Sequence, residues 1–337
     1  MRWFKRVLLG VLGLFIVVLI AGGVGYWYMT RHGGTDVREA GLVGRFYAAS
    51  GVKHHTAVLM LGGSNGGYPY DKAAQDLADS GYPVFALAYF KGYTKQPAGV
   101  PDYLADIPLE YFFRAIDWMK KRPEVNPDKI VLMGESRGGE LVLLLASLRP
   151  DVAGVIAYSP SNVAWAGLKP PYDMSAWTLR GKPVPFVINY TFTPQTMLKS
   201  FQDAIAKAPP ERLASAAIPV ENIHGPVLLI SSKADNLWPS SQMADAVEAR
   251  LKAHAFRYPV ENVQYADASH LLMGYGRGIT KMGIPFVFSI YFGGSPEGTR
   301  KARDAGWAVA KDFLMRVEDG SNRGPSAKVG TAGSDRS

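Results

Sequence analysis

The pentapeptide Gly134-Glu135-Ser136-Arg137-Gly138 limits what this chain can fold into more than any other stretch. It follows the apolar run Lys129 to Met133 and precedes the leucine-rich run Gly139 to Ser147. The first run reads as a buried strand and the second as a helix. A G-x-S-x-G between a strand and a helix makes a sharp turn that pushes the serine Oγ out past the strand's carboxyl end. The glycines belong there because a Cβ on either side would meet the neighbouring strand or helix. The plainer reading is an ordinary strand-to-helix turn in which Ser136 caps the helix.

The pattern around this turn predicts a layered α/β domain. Leu42–Ala48, Thr56–Leu61, Pro83–Tyr89, Val152–Tyr158, Pro226–Ser231 and Asn262–Tyr265 read as strands. Tyr70–Ser80, Ile107–Arg122, Ser241–His254 and Arg300–Arg316 read as helices. Leu109, Phe112, Phe113, Ile116 and Met119 give the second of these an apolar side. Strands that are apolar without alternation, interleaved with helices, predict a mostly parallel sheet covered on both faces. We place this domain at residues 37–317. Residues 159–222 interrupt the alternation with prolines and aromatics and read as a cap-like insertion. The alternative is a surface excursion that completes packing. Residues 318–337 are polar and rich in glycine and serine, and read as a disordered tail.

The amino terminus reads as a membrane segment. Val7 to Met29 carries no charge, follows Arg2, Lys5 and Arg6, and ends in Tyr26, Trp27 and Tyr28. At about 1.5 Å per residue it is long enough for a hydrocarbon core of about 30 Å. Residues 1–29 are thus expected to be a basic cytoplasmic stub and a single-pass anchor, and 30–36 a linker. The positive cluster argues that the amino terminus stays in the cytoplasm and that the domain after it is exported. A cleaved signal peptide, giving a secreted or periplasmic protein, is the competing reading. The chain has no cysteine, which excludes disulfides, thiolate metal sites and a cysteine nucleophile. Its net charge of +8 is spread along the chain, so no nucleic-acid partner is expected. No cluster has metal-ligand spacing, and no cofactor is implied.

A serine needs a base within hydrogen-bond reach, and the base needs an orienting carboxylate. In chain order after such a turn come acid and then histidine, each in a loop beyond a strand end. Asp235 follows Pro226–Ser231, and His270 follows Asn262–Tyr265. Asp267 shares the histidine's own loop, so Asp235 is the preferred orienter. Of the six histidines, His32 lies in the linker, His54 and His55 precede a strand, His224 also precedes one, and His254 ends a helix. A tetrahedral intermediate further needs donors for its oxyanion. The Arg137 backbone N–H is one candidate. The other is the N–H of Ser64 or Asn65, in the loop Gly62-Gly63-Ser64-Asn65-Gly66-Gly67.

These residues resemble the carboxyl-terminal catalytic domain of the acyl-CoA thioester hydrolase / bile acid-CoA:amino acid N-acyltransferase family, which has the α/β-hydrolase fold. The resemblance runs over roughly residues 37–316. It is carried by LGGSNGG, DLADSGYPVFALAYF, IPLEYFFRAIDWM, GESRGGELVLLLAS, AAIPVENIHGPVLLISSKADNLWPS and YADASH. It implies a nucleophile–acid–histidine triad at Ser136, Asp235 and His270, and an acyl ester or thioester as the small-molecule substrate. Typical animal members carry an amino-terminal β-sandwich, where this chain has the membrane segment and linker. The acyltransferase branch typically uses cysteine, so Ser136 implies hydrolysis rather than conjugation. The expected protein is a membrane-anchored serine hydrolase acting on an acyl-CoA-like thioester or a carboxylic ester. An acyltransferase with the same triad and a catalytically silent binding module are the rivals. An exported domain would not meet coenzyme A thioesters, so the predicted topology and the implied substrate conflict.

Overall fold

The structure is a computed structural model, and it describes residues 33–51, 53–92, 95–189, 197–284 and 288–321. The predicted membrane segment Val7–Met29 and all but the start of the predicted tail lie outside these residues. Among the described residues no helix is long and apolar enough to cross a membrane.

Thirteen strands occur in chain order among the described residues: β1 (Thr35–Val37), β2 (Gly44–Tyr47), β3 (Ala57–Leu61), β4 (Val84–Leu87), β5 (Ile107–Pro108), β6 (Ile130–Glu135), β7 (Gly154–Tyr158), β8 (Trp177–Leu179), β9 (Lys182–Pro183), β10 (Val227–Ser232), β11 (Val260–Tyr265), β12 (Lys281–Ile284) and β13 (Phe288–Tyr291). Eight form the main sheet, in the order β1-β2-β4-β3-β6-β7-β10-β11. From β4 to β11 every neighbouring pair is parallel, while β1 and β2 add an antiparallel edge. The chain leaves β3 toward β4 and later returns to the other side of β3 as β6. The order therefore reverses between β3 and β6. A crevice opens at the carboxyl ends of the strands at such a switch point, and ligands bind there in open α/β sheets.

Both faces of the sheet are buried, which explains the unbroken apolar runs. Successive strand side chains point to opposite faces. Leu59 and Leu132 join one core cluster, with the helices Leu109–Lys120, Arg137–Leu148 and Ser240–Ala253. Val58, Met60, Val131 and Met133 join the other, with the helices Asp71–Asp79 and Pro296–Glu318. Every residue of β3, β4 and β7 is buried.

The structure differs from the sequence reading at several places. Thr35 and Asp36, expected in a linker, belong to β1, where Val37 is buried and Asp36 pairs with Arg45 at 3.2 Å. The last helix begins at Pro296, because the Ser295 side chain accepts the Gly298 N–H and a proline fits the first helical position. It extends through Glu318, expected in the tail, whose carboxylate accepts the Thr56 N–H at 2.9 Å. The hairpin β12–β13 was not anticipated. Within 159–222, β8 pairs with β5, and the helices Met197–Lys207 and Pro210–Ala216 follow.

Candidate active site

β6 delivers Ser136 into the crevice. Its backbone is at φ 60° and ψ −121°, a conformation that L side chains rarely adopt. Backbone strain of this kind persists only where the surroundings enforce it. Here two glycines permit it. A Cβ on Gly134 would land on the Gly138 carbonyl, and one on Gly138 would lie 2.5 Å from the Gly62 carbonyl oxygen. The turn is therefore clamped against the glycine loop that follows β3. The Ser136 N–H donates to the Tyr158 carbonyl at 2.9 Å, which fixes the turn to β7 as well.

The loop after β10 carries Asp235. Its Oδ1 accepts the N–H groups of Leu237 (2.9 Å) and Trp238 (3.3 Å). The carboxylate thus forms its own turn, and its other oxygen stays available. Asp235 Oδ2 lies 2.8 Å from His270 Nδ1. The loop after β11 carries His270, whose N–H donates to the Phe292 carbonyl at 2.9 Å and whose carbonyl accepts from Ser159 Oγ at 2.6 Å. Both side chains are 1% exposed. A carboxylate can only accept, so Nδ1 carries the proton and Nε2 presents a lone pair. That Nε2 is buried and has no hydrogen-bond partner among the described residues. Burial disfavours the imidazolium. The Asp235 and Glu135 carboxylates outweigh this and hold His270 above the ordinary histidine range.

Asp267 is used elsewhere: it accepts the Ser295 N–H at 2.7 Å, at the start of the last helix. Of the other described histidines, His54 stacks on Tyr82 with ring centroids 4.4 Å apart, and His254 caps the helix Ser240–Ala253. Among the described residues no group of acidic, histidine or cysteine side chains is placed to hold a metal ion.

Ser136 opens on a cavity of about 100 Å³ that is also lined by Ser64 and Arg137. Of the two candidate donors in the glycine loop, Ser64 therefore shares the cavity with Ser136, whereas the Asn65 carbonyl packs on Gly92. A Cβ on Gly63 would lie 3.2 Å from the Ser136 Cβ, so that loop runs alongside the Ser136 turn. Arg137 opens the helix after the turn, where the first backbone N–H groups have no intrahelical partner.

The remaining walls come mostly from residues 159–222 and from the Asp235 loop. Trp165, Leu168, Met197, Phe201, Leu237 and Trp238 give it an apolar lining. Phe201 packs edge-on against Trp165 (4.7 Å) and Trp238 (5.7 Å), and Trp238 packs edge-on against His270 (5.6 Å). An ion pair, Arg137 Nη1 to Glu140 Oε2 at 2.9 Å, anchors this wall. Arg137 Nη2 donates to the Trp165 carbonyl at 3.0 Å, and Trp177 Nε1 donates to Glu140 Oε1 at 2.7 Å. Both charges are buried: desolvation pushes the Arg137 guanidinium down and the Glu140 carboxyl up, each partly offset by the other.

The structure thus holds a buried serine in an enforced turn and a preformed aspartate–histidine pair, with no hydrogen bond between Ser136 and His270 Nε2. The carboxyl-terminal family model for BAAT and acyl-CoA thioester hydrolases matches residues 107–317. The chain belongs to this BAAT / acyl-CoA thioester hydrolase family. Among curated proteins, human acyl-coenzyme A thioesterase 6 is 28% identical over 272 residues, covering 80% of this chain and 62% of that protein. Rat acyl-coenzyme A thioesterase 1 is 28% identical over 274 residues, covering 81% and 62%. The chain thus spans 62% of the length of these two family members. Among solved structures, Pyrococcus horikoshii acylaminoacyl peptidase superposes with a TM-score of 0.53 at 13% identity, covering 86% of this chain and 43% of that one. The 2,6-dihydroxy-pseudo-oxynicotine hydrolase gives 0.51 at 15% identity, covering 88% and 70%. These likenesses establish the fold, an α/β-hydrolase-like sheet with helices on both faces.

Sequence reasoning had missed Glu135, Ser159, Phe292 and the Arg137–Glu140 pair. For Glu135 a signal existed: an acidic residue ends an otherwise apolar, fully buried strand. Phe292 could not be found that way, because it acts through its backbone carbonyl.

Proposed function

We propose that this chain is a serine hydrolase of acyl thioesters or carboxylic esters. The observation that carries this reading is the buried Asp235–His270 pair with its uncommitted Nε2, in a fold that presents Ser136 at an enforced turn. Ser136 Oγ attacks the substrate carbonyl carbon and gives its proton to His270 Nε2. Asp235 holds the imidazole in the required tautomer and stabilises its cation. The tetrahedral oxyanion is held by the N–H of Arg137 and by that of Ser64 or Asn65, with Ser64 favoured by its place in the cavity. Collapse expels the thiol or alcohol, which takes the proton from Nε2. Water, deprotonated by the same nitrogen, then cleaves the acyl-enzyme and frees Ser136. The acyl group lies against the apolar wall formed by Trp165, Phe201 and Trp238, with residues 159–222 as its cap.

Two human and rat relatives are named acyl-coenzyme A thioesterases, which supports a thioester as one substrate class. We further infer that Val7–Met29 anchors the chain in a membrane with the catalytic domain outside the cytoplasm. The support is its uncharged length and the preceding Arg2, Lys5 and Arg6. A domain on that side meets esters and thioesters other than acyl-CoA. Purified protein assayed on a panel of acyl-CoA and nitrophenyl esters should hydrolyse at least one, and Ser136→Ala should not. Failure of the whole panel contradicts the reading. Protease access to the domain in intact cells tests the topology, and protection until the membrane is opened contradicts an external domain.

A further inference from the structure

We propose that Glu135 is a positioning residue of this site, joining the histidine loop and the glycine loop to the strand that carries the nucleophile. This rests on the triad reading above. Glu135 is the last residue of β6 and is fully buried. Its Oε1 accepts the backbone N–H groups of Leu272 and Met273, the latter at 2.6 Å, just beyond His270. Its Oε2 accepts from the Tyr70 hydroxyl. Tyr70 sits at the end of the loop that begins at Gly62, and its own backbone is left-handed at φ 46°. One carboxylate therefore holds the end of the oxyanion loop and the loop of the general base. It is joined through its own peptide bond to Ser136.

A buried carboxylate is a costly way to fasten two loops unless its charge also matters. Here the charge also acts on the base. Asp235 and Glu135 are the acidic groups acting on His270, and both favour its protonated form. Trp238 covers the ring edge-on. From the last helix Arg303 donates to the Leu271 carbonyl at 3.0 Å, and its charge acts on Tyr70 and Tyr158. Burial and the Glu135 charge hold Tyr70 well above the usual phenol range, so its hydroxyl stays a donor. Glu135 thus fixes where His270 stands and raises its basicity.

Two substitutions separate these roles. In Glu135→Gln the amide oxygen can still accept both loop N–H groups, and the amide NH₂ can donate to the Tyr70 oxygen, so geometry is kept and charge is lost. The His270 imidazole, followed by NMR, should then titrate at lower pH than in wild type. The acid limb of kcat/KM for an activated ester should move the same way with KM little changed. Glu135→Ala should lower kcat about 10²-fold, the cost of a displacement of about 1 Å in a catalytic group. Tyr70→Phe, which releases only the glycine loop, keeps the test alive if Glu135→Ala does not fold, and should lower kcat with the His270 titration nearly unmoved. A Glu135→Gln titration coincident with wild type overturns the proposal. So does a folded Glu135→Ala, or a Tyr70→Phe in its place, that turns over within about twofold of wild type. The NMR titration needs no turnover. Absence of serine-directed phosphonate labelling in the wild type would instead overturn the triad reading.

Discussion

Asp235 Oδ2 and His270 Nδ1 lie 2.8 Å apart, although 35 residues separate them in the chain. The parallel neighbours β10 and β11 bring them together, since their carboxyl ends lie side by side with Ser232 opposite Tyr265. The loops that follow then share the Phe292 carbonyl, which accepts the N–H groups of both Asn236 (3.2 Å) and His270 (2.9 Å). The pair is set by backbone and not only by its own hydrogen bond.

Replacing Asp235 by asparagine should therefore leave the fold intact and disable the base. An amide NH₂ facing Nδ1 favours the tautomer with the proton on Nε2, which can no longer accept from Ser136. We expect kcat to fall about 10⁴-fold with KM little changed, as for other triads. Steady-state rates on an activated ester, with circular dichroism as the control for folding, check this.

The raised His270 value sets two opposed pH dependences. Activity needs the neutral imidazole, so kcat/KM should rise with pH through the folded-state value, which lies above the ordinary one of about 6.5. Stability runs the other way. A group whose folded-state value is raised contributes stability that is complete below its unfolded value and is lost as pH rises through the folded one. The difference in melting temperature between wild type and His270→Asn should therefore shrink as pH rises through the window in which activity appears.

The Arg137–Glu140 pair should matter to the cavity wall through desolvation. Glu140→Ala leaves a buried guanidinium unpaired and should cost about 3–5 kcal/mol in urea unfolding. The double substitution Arg137→Met with Glu140→Leu should recover much of that loss, because a buried pair gains little over well-packed apolar groups. Equal instability of the two proteins would contradict this account. The backbone N–H at position 137 survives in both.

Gly138→Ala tests the clamp between the nucleophile turn and the glycine loop. The added methyl would meet backbone oxygens at Leu61 and Gly62, 2.6 and 2.5 Å away, neither of which can rotate aside. Destabilisation of about 1–3 kcal/mol is expected, together with a loss of turnover larger than that of a surface glycine such as Gly51. Gly51→Ala, at φ 65° with nothing within 4 Å, is the control for backbone strain without a clash.

The parts of this site that were legible in the sequence are those with a local signature. The Ser136 turn announced itself through its glycines and flanking apolar runs. Asp235 and His270 were singled out by their position beyond strand ends; in the structure Asp235 lies 2.8 Å from His270, while Asp267 accepts from Ser295. The main strands were legible because both faces of the sheet are buried. Long-range side-chain bonding was not: Glu135 reaches Tyr70 and Met273 across 65 and 138 residues of sequence, and no periodicity reports that. β1 and the hairpin β12–β13 were missed for a related reason. Short strands are defined by their partners more than by their own residues.

The central claim is that Ser136 forms the covalent intermediate. Its most direct test is to treat the folded protein with a serine-directed phosphonate, digest it and locate the adduct by peptide mass. The account predicts one adduct on Ser136, formed faster as pH rises through the His270 titration and absent in Ser136→Ala. An adduct elsewhere, or equal labelling of Ser136→Ala, would contradict it.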